Sequence, residues 1–369
     1  MKLLSRYLLR ELGAPLAVCV AALYLLLFAM QFLRASDVLL GSSVTLRDVA
    51  EIGLYLTPHF LVMCLPVAFL LALLLGLGRM NEDREWVALQ ALGVSPWQLL
   101  KVPAALGVAL GALMLTLGFT GEPWGLSSLE LRVNELIKRN ILGDVKAGTF
   151  YEEIPDFTLY VSEPDPEHGA WRHVLLHDDR DSASPLLVLA DEGHLKTSGY
   201  SSALELELDE GQVHVSDRGN LDYTVLDFHR GEIAIGLVEM LFRRNWRASG
   251  LDGFTPQELL AEAARAKAEE DARPLLMAFH ARIAQAFAPV AFAALGAPLA
   301  LSRRHRGRAR GFGFTLVAYV AYYVLSKGFQ NLGVEGRLPV PLAGELANLL
   351  FAAAGAWALW RARRAGAAS

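Results

Sequence analysis

The chain has 369 residues, 53% of them hydrophobic and 20% charged, with a formal net charge of −5. Length alone would allow two ordinary soluble domains, but this apolar content excludes them and points to a membrane protein. The charge is unevenly placed: residues 123–274 hold 29 Asp/Glu and 15 Lys/Arg, while the rest of the chain holds 10 and 19.

The N-terminus carries Lys2, Arg6 and Arg10 before an apolar run that is too long and uninterrupted for a cleaved signal peptide, so it reads as a retained first helix. Crossing a hydrocarbon core of ~30 Å takes roughly 20 helical residues. Six stretches meet that length, at 12–33, 54–78, 98–121, 277–300, 312–333 and 340–360. Pro66, Pro289 and Pro298 fall inside them and are tolerated, because neighbouring helices re-satisfy the freed backbone groups. Both cysteines, Cys19 and Cys64, lie in apolar runs, which rules against a disulfide framework.

Orientation follows from the short loops. Lys2, Arg6 and Arg10, then Arg79 and Arg84, the five arginines between 303 and 310, and Arg361, Arg363 and Arg364 all fall on one side if the helices alternate. The opposite short loops hold only Arg34, Arg47 and Arg337, so the basic side is cytoplasmic. Both termini are then inside and the acidic segment outside.

Within that segment, Phe157–Val161, Leu186–Ala190, Leu204–Leu208 and Tyr223–Phe228 alternate or are β-branched, and Asp/Gly/Ser/Pro clusters separate them. Short strands at this spacing predict a sandwich or roll. Thr255-Pro256-Gln257-Glu258 then opens an Ala/Glu/Arg-rich helix that leads back to the fourth span. The expected division is therefore a first membrane half over 1–122, an outer β domain with its connecting helix over 123–274, and a second membrane half over 275–369.

The loop over 79–98 is a candidate docking helix. Glu85, Leu89 and Leu92 share a face at i, i+4 and i+7, while Gly93 and Ser95-Pro96 supply a stop and a restart. Such a helix can dock on a nucleotide-binding subunit or lie on lipid headgroups. No Gly-x-x-x-x-Gly-Lys-Ser/Thr occurs, so any ATP would be hydrolysed by a partner. Arg34 and Lys327 sit near the outer ends of the first and fifth spans, where a cation either snorkels to the interface or faces a cavity. His173, His177, Asp178, Asp179 and Asp181 cluster in sequence, but strand-and-turn spacing and the commonness of acidic surface turns argue against a metal site. No nucleophile elbow marks a hydrolase. Gly107 and Gly111 are spaced for close helix packing within the subunit.

The stretch from Leu77 through Asn81-Glu82-Asp83-Arg84-Glu85-Trp86 to Ser95-Pro96 resembles the cytoplasmic segment of the LptF/LptG permease family. Arg6–Glu11, Gly148-Thr149-Phe150, Phe279–Ile283, Gly296–Leu299 and Gly311-Phe312-Gly313 follow in that family's order, so the resemblance covers nearly the whole chain. Asp83-Arg84-Glu85 and Glu345-Leu346-Ala347-Asn348 depart from its usual pattern. The resemblance implies an α-helical inner-membrane protein with six transmembrane helices and a periplasmic all-β, jellyroll-like domain between the third and fourth. It implies a non-catalytic permease subunit without cofactor, extracting lipopolysaccharide from the inner membrane. The expected partners are a paralogous permease subunit in a heterodimer, a cytoplasmic ATPase dimer and periplasmic β-jellyroll bridge proteins, with no nucleic acid. It implies Glu85, Leu89 and Leu92 on an ATPase-coupling helix, Arg34 and Lys327 at the lipid headgroup, and an acyl-chain groove in the β domain. A related exporter of another lipid or lipoprotein, or a membrane scaffold or sensor, is the alternative.

Overall fold

The computed structural model describes residues 2–34, 45–144, 147–151, 157–165, 170–179, 185–197, 204–216, 223–235, 251–300 and 308–367. The chain divides into two compact units, one of residues 1–29, 56–126 and 251–369, the other of residues 30–55 and 127–250.

Helix α1 (Lys2–Arg34) starts well before the predicted span and takes in its basic residues. Helix α2 (Leu46–Glu82) runs through Pro58 and Pro66. Arg84, at φ 58, breaks the helical path and begins the short α3 (Glu85–Ala91), which ends before Gly93 at φ 83. Ser95 and Gln98 then form a reciprocal capping box around Pro96, and α4 (Pro96–Thr116) follows.

The third predicted span does not end the helical run at 121. A π-helical turn, Leu117–Gly121, passes directly into α5 (Glu122–Asp144). Pro123 near the start of α5 has no N–H to donate, and the widened turn absorbs that break without stopping the helix.

The β strands are β1 (Thr149–Tyr151), β2 (Phe157–Asp165), β3 (Ala170–Asp178), β4 (Leu186–Thr197), β5 (Leu204–Ser216) and β6 (Tyr223–Ile235). They form one antiparallel sheet in sequence order. Leu159, Val161, Trp171, Val174, Leu176, Val188, Leu206 and Leu208 are buried in it.

The chain returns through α6 (Pro256–Arg265), capped by the reciprocal pair Thr255 and Glu258, and α7 (Glu269–Ala300). Helices α8 (Arg308–Val334) and α9 (Val340–Ala367) complete it.

Among the described residues, five helical stretches are long and apolar enough to cross a bilayer: Leu3–Leu33, Leu46–Glu82, Gln98–Val133, Glu269–Gly296 and Val340–Arg361. The predicted fifth span lies in α8, which carries Ser326, Lys327, Gln330 and Asn331 close together.

The helical unit is organised on α7, which packs against α4 and α9. A side chain at Gly107 would put its Cβ 3.0 Å from the Pro289 carbonyl oxygen, and one at Gly111 would run into that of Ala286, so the glycine pair lets α4 and α7 touch backbone to backbone. Phe292, Tyr322 and Phe351 interlock edge to face beside Phe69 and Leu73.

Candidate functional site

The predicted docking segment folds as the short helix α3 with a turn on either side. Glu85 opens α3 half-buried, and its Oε2 accepts a 2.6 Å hydrogen bond from the Tyr7 hydroxyl on α1. Leu89 packs against the core of the helical unit. Leu92 lies just past the helix and is 80% exposed, and Val87 on α3 is also exposed. Of the predicted trio, Leu92 is thus the surface residue and Leu89 the anchor, while Glu85 lies between them. Trp86, buried at 7%, fixes α3 from below.

Arg34 is the last residue of α1, and its side chain lies outside the described residues. Lys327 is exposed on α8, next to the buried pair Ser326 and Gln330, which hydrogen-bond at 3.2 Å.

Sequence reading passed over three buried polar arrangements. Arg282 on α7 donates to the carbonyl oxygens of Leu251, Asp252 and Phe254 at 2.8–2.9 Å, fastening the turn ahead of α6. His59 Nδ1 on α2 lies 2.5 Å from Glu122 Oε1, at the end of the π-helical turn. Asn348 on α9 accepts from the Tyr322 hydroxyl at 2.9 Å and donates to Ala284 O and Glu345 Oε2 at 2.8 Å each. An apolar span marks such residues as exceptions, but their partners are 3 to 64 positions away and spacing does not reveal them.

In the other unit, Arg132 on α5 bridges Asp48 at 2.7 Å and Glu51 at 3.0 Å on α2, and Glu135 at 2.6 Å on its own helix. The sheet holds a cavity of about 630 Å³ lined by Tyr160, Leu175, Leu189 and Phe228 together with His173, Asp191, Glu210 and His229. Ser162, His173, Asp191, Glu210 and His229 fall opposite one another in a single row across β2 to β6, between the paired positions on either side. His173 and Glu210 in that row have φ near +50°, a backbone conformation costly for residues other than glycine. His229 Nδ1 lies 3.0 Å from both Glu210 oxygens. Nearby, the Asp209 carboxylate accepts from Arg230 Nε at 2.9 Å and, with Glu207, pushes that guanidinium pKa up.

Of the sequence cluster considered for a metal, His173, His177 and Asp178 lie on β3 and Asp181 lies outside the described residues. Among the described residues no group of three or more His, Cys, Asp or Glu is arranged to hold a metal ion.

The sequence model of the family described as "Lipopolysaccharide export system permease LptF/LptG" matches residues 6–361. The chain is 23% identical over 358 residues to the lipopolysaccharide export system permease protein LptF of Escherichia coli K12, covering 95% of this chain and 93% of that protein. The LptF protein of Shigella flexneri aligns equally well. An uncharacterized protein of Rickettsia prowazekii is 24% identical over 191 residues, about half of each chain.

Proposed function

The chain belongs to the LptF/LptG family of lipopolysaccharide export permeases, and from that premise we propose that it is the membrane subunit of an ATP-driven transporter that lifts lipopolysaccharide out of the inner membrane. The observation that carries this reading is the family match over residues 6–361, which runs unbroken through the membrane helices, the β sheet and the returning helices.

Six helices cross the bilayer in this reading, α8 included, because α8 must cross to keep the arginine-rich ends together on the cytoplasmic side. The exposed Trp357 and Trp360 near the end of α9, with the Arg361 guanidinium over the Trp357 ring, suit a helix end at the headgroup level. The jellyroll-like sheet then stands in the periplasm.

The subunit itself is non-catalytic. A cytoplasmic ATPase dimer docks at the α3 segment, where Val87 and Leu92 offer exposed apolar contact around Glu85. A paralogous permease covers the outward apolar face of α1, on which Val18, Leu25 and Leu26 stand exposed. Arg34 and Lys327 meet the anionic headgroup, with the Arg34 guanidinium suited to bidentate pairing with phosphate oxygens. The lipid passes to β-jellyroll bridge proteins through the sheet, whose long last strand β6 has one unpaired edge among the described residues and whose cavity offers Leu175, Leu189 and Phe228 to acyl chains.

The test is co-purification with a soluble ATPase followed by photo-crosslinking from a probe at position 34. Lipopolysaccharide is expected in the crosslinked product. Neutralising Arg34 and Lys327 together is expected to lower headgroup capture and transport. Undiminished capture by that double variant would assign both cations to the interface instead.

A further inference from the structure

Tyr7, within the Arg6–Glu11 stretch, donates a hydrogen bond to the Glu85 carboxylate on which the docking segment centres. We infer that Tyr7 is a positioning residue for Glu85, holding the carboxylate in the orientation in which it meets the ATPase; the inference rests on the coupling role proposed above.

The local sequence explains why α1 reaches α3. Leu8 and Leu12 on α1 are fully buried in the core of the helical unit, and Tyr7 and Glu11 flank them one turn apart. Pro15 has no N–H, so the Glu11 carbonyl loses its helical donor. Helix α2 approaches that point through Gly76, where a Cβ would lie 2.8 Å from Glu11 O, a closeness only glycine permits. The Glu11 carboxylate meets Arg79 at 3.3 Å one turn further along α2. These contacts set the N-terminal turns of α1 beside the end of α2, and the Tyr7 hydroxyl then reaches across the Asp83-Arg84 turn to Glu85 Oε2 at 2.6 Å.

The carboxylate opens a seven-residue helix bounded by a left-handed arginine and a left-handed glycine, where the phenol adds a fixed donor. The phenol engages Oε2, and an ionised carboxylate accepts at both oxygens, so Oε1 can take a donor from the partner. Short hydrogen bonds to a charged acceptor are about twice as strong as neutral ones, so one phenol suffices to fix the rotamer.

The experiment uses the complex of the full chain with its paralogous permease and ATPase in lipid vesicles, and reads lipopolysaccharide released per ATP hydrolysed. Four versions are compared: wild type, Tyr7→Phe, Glu85→Ala and the double variant. Tyr7→Phe removes only the hydroxyl and is expected to lower release per ATP roughly tenfold, the worth of one hydrogen bond to a charged group, with complex recovery unchanged. In the Glu85→Ala background the same substitution is expected to do nothing more. Wild-type coupling in Tyr7→Phe, or an equal loss with and without Glu85, overturns the inference and makes Tyr7 a packing residue. Wild-type coupling in Glu85→Ala overturns the coupling role itself, a separate outcome. Fluorotyrosine at position 7 gives a readout independent of transport: its fluorine resonance is expected to move on Glu85→Ala, and an unmoved resonance rejects the contact.

Discussion

The two units treat polar groups in opposite ways. In the helical unit the most buried ones are tied to several partners each: Arg282 is 5% exposed and donates to three carbonyls, and Asn348, equally buried, bonds to three partners. In the sheet they are many and wet: the His229 and Glu210 side chains are 94% and 64% exposed although they lie 3.0 Å apart. Equal distances therefore carry unequal energies. A buried group that loses its partner keeps the full desolvation cost, whereas an exposed one exchanges its partner for water.

The largest effect that sharpens this contrast is expected at Arg282. Arg282→Met removes the guanidinium donors from three carbonyls of the 251–254 turn, of which Leu251 O keeps the Phe254 N–H at 3.2 Å, at about 1–3 kcal/mol for each one left buried and unsatisfied. The yield of folded protein and the Tm in detergent should fall sharply. Arg282→Lys should recover only part of the loss, because an ammonium cannot reproduce the spread of a guanidinium. A Tm equal to that of wild type in Arg282→Met would show the turn to be held by other contacts.

Next comes the seam between α4 and α7. Gly111→Ala drives a methyl into the Ala286 carbonyl and forces the helices apart, at a cost of about 1–3 kcal/mol for overpacking. Gly107→Ala, whose Cβ would stand 3.0 Å from Pro289 O, should cost less. Gly78→Ala meets nothing within 4 Å and should be neutral or mildly stabilising, since alanine is the better helix former. Tm values in the order Gly78→Ala, Gly107→Ala, Gly111→Ala from highest to lowest check the packing; any other order breaks it.

How much of this was legible in the sequence follows from the same contrast. Apolar runs announce themselves, so α1, α2, α4, α7 and α9 coincide with predicted spans, and the alternating strands β2, β4, β5 and β6 were read from periodicity. Strand β3 was not, because Ala170-Trp171-Arg172-His173-Val174 mixes polar and apolar residues, and the positive φ at His173 shifts the inward face partway along. The expected boundary at 122/123 falls inside a continuous helical run, and the π-helical turn that joins α4 to α5 has no sequence mark beyond Pro123. The docking segment was legible in its turn residues, Gly93 and Ser95-Pro96, but the partner of Glu85 was not: Tyr7 is 78 positions away, and nothing in the Arg6–Glu11 stretch marks the residue it meets.

The smallest effect is expected where the sheet is most charged. His229→Ala removes a histidine–carboxylate contact whose two side chains are both well exposed, and even a fully charged pair so exposed is worth about 0–1 kcal/mol. The Tm should therefore move far less than for Gly111→Ala, and raising the salt concentration should erase what difference remains, because exposed charges are screened over about 8–10 Å at ordinary ionic strength. The row from Ser162 to His229 makes this a sharper question than one surface pair would pose. Glu210 sits at φ 50, and Glu210→Gly relieves that backbone conformation while deleting the same partner. If the strained backbone outweighs the contact, Glu210→Gly is more stable than His229→Ala. If it is less stable, the carboxylate is worth more to the sheet than its exposure allows, and the two units are not as different as their burial suggests.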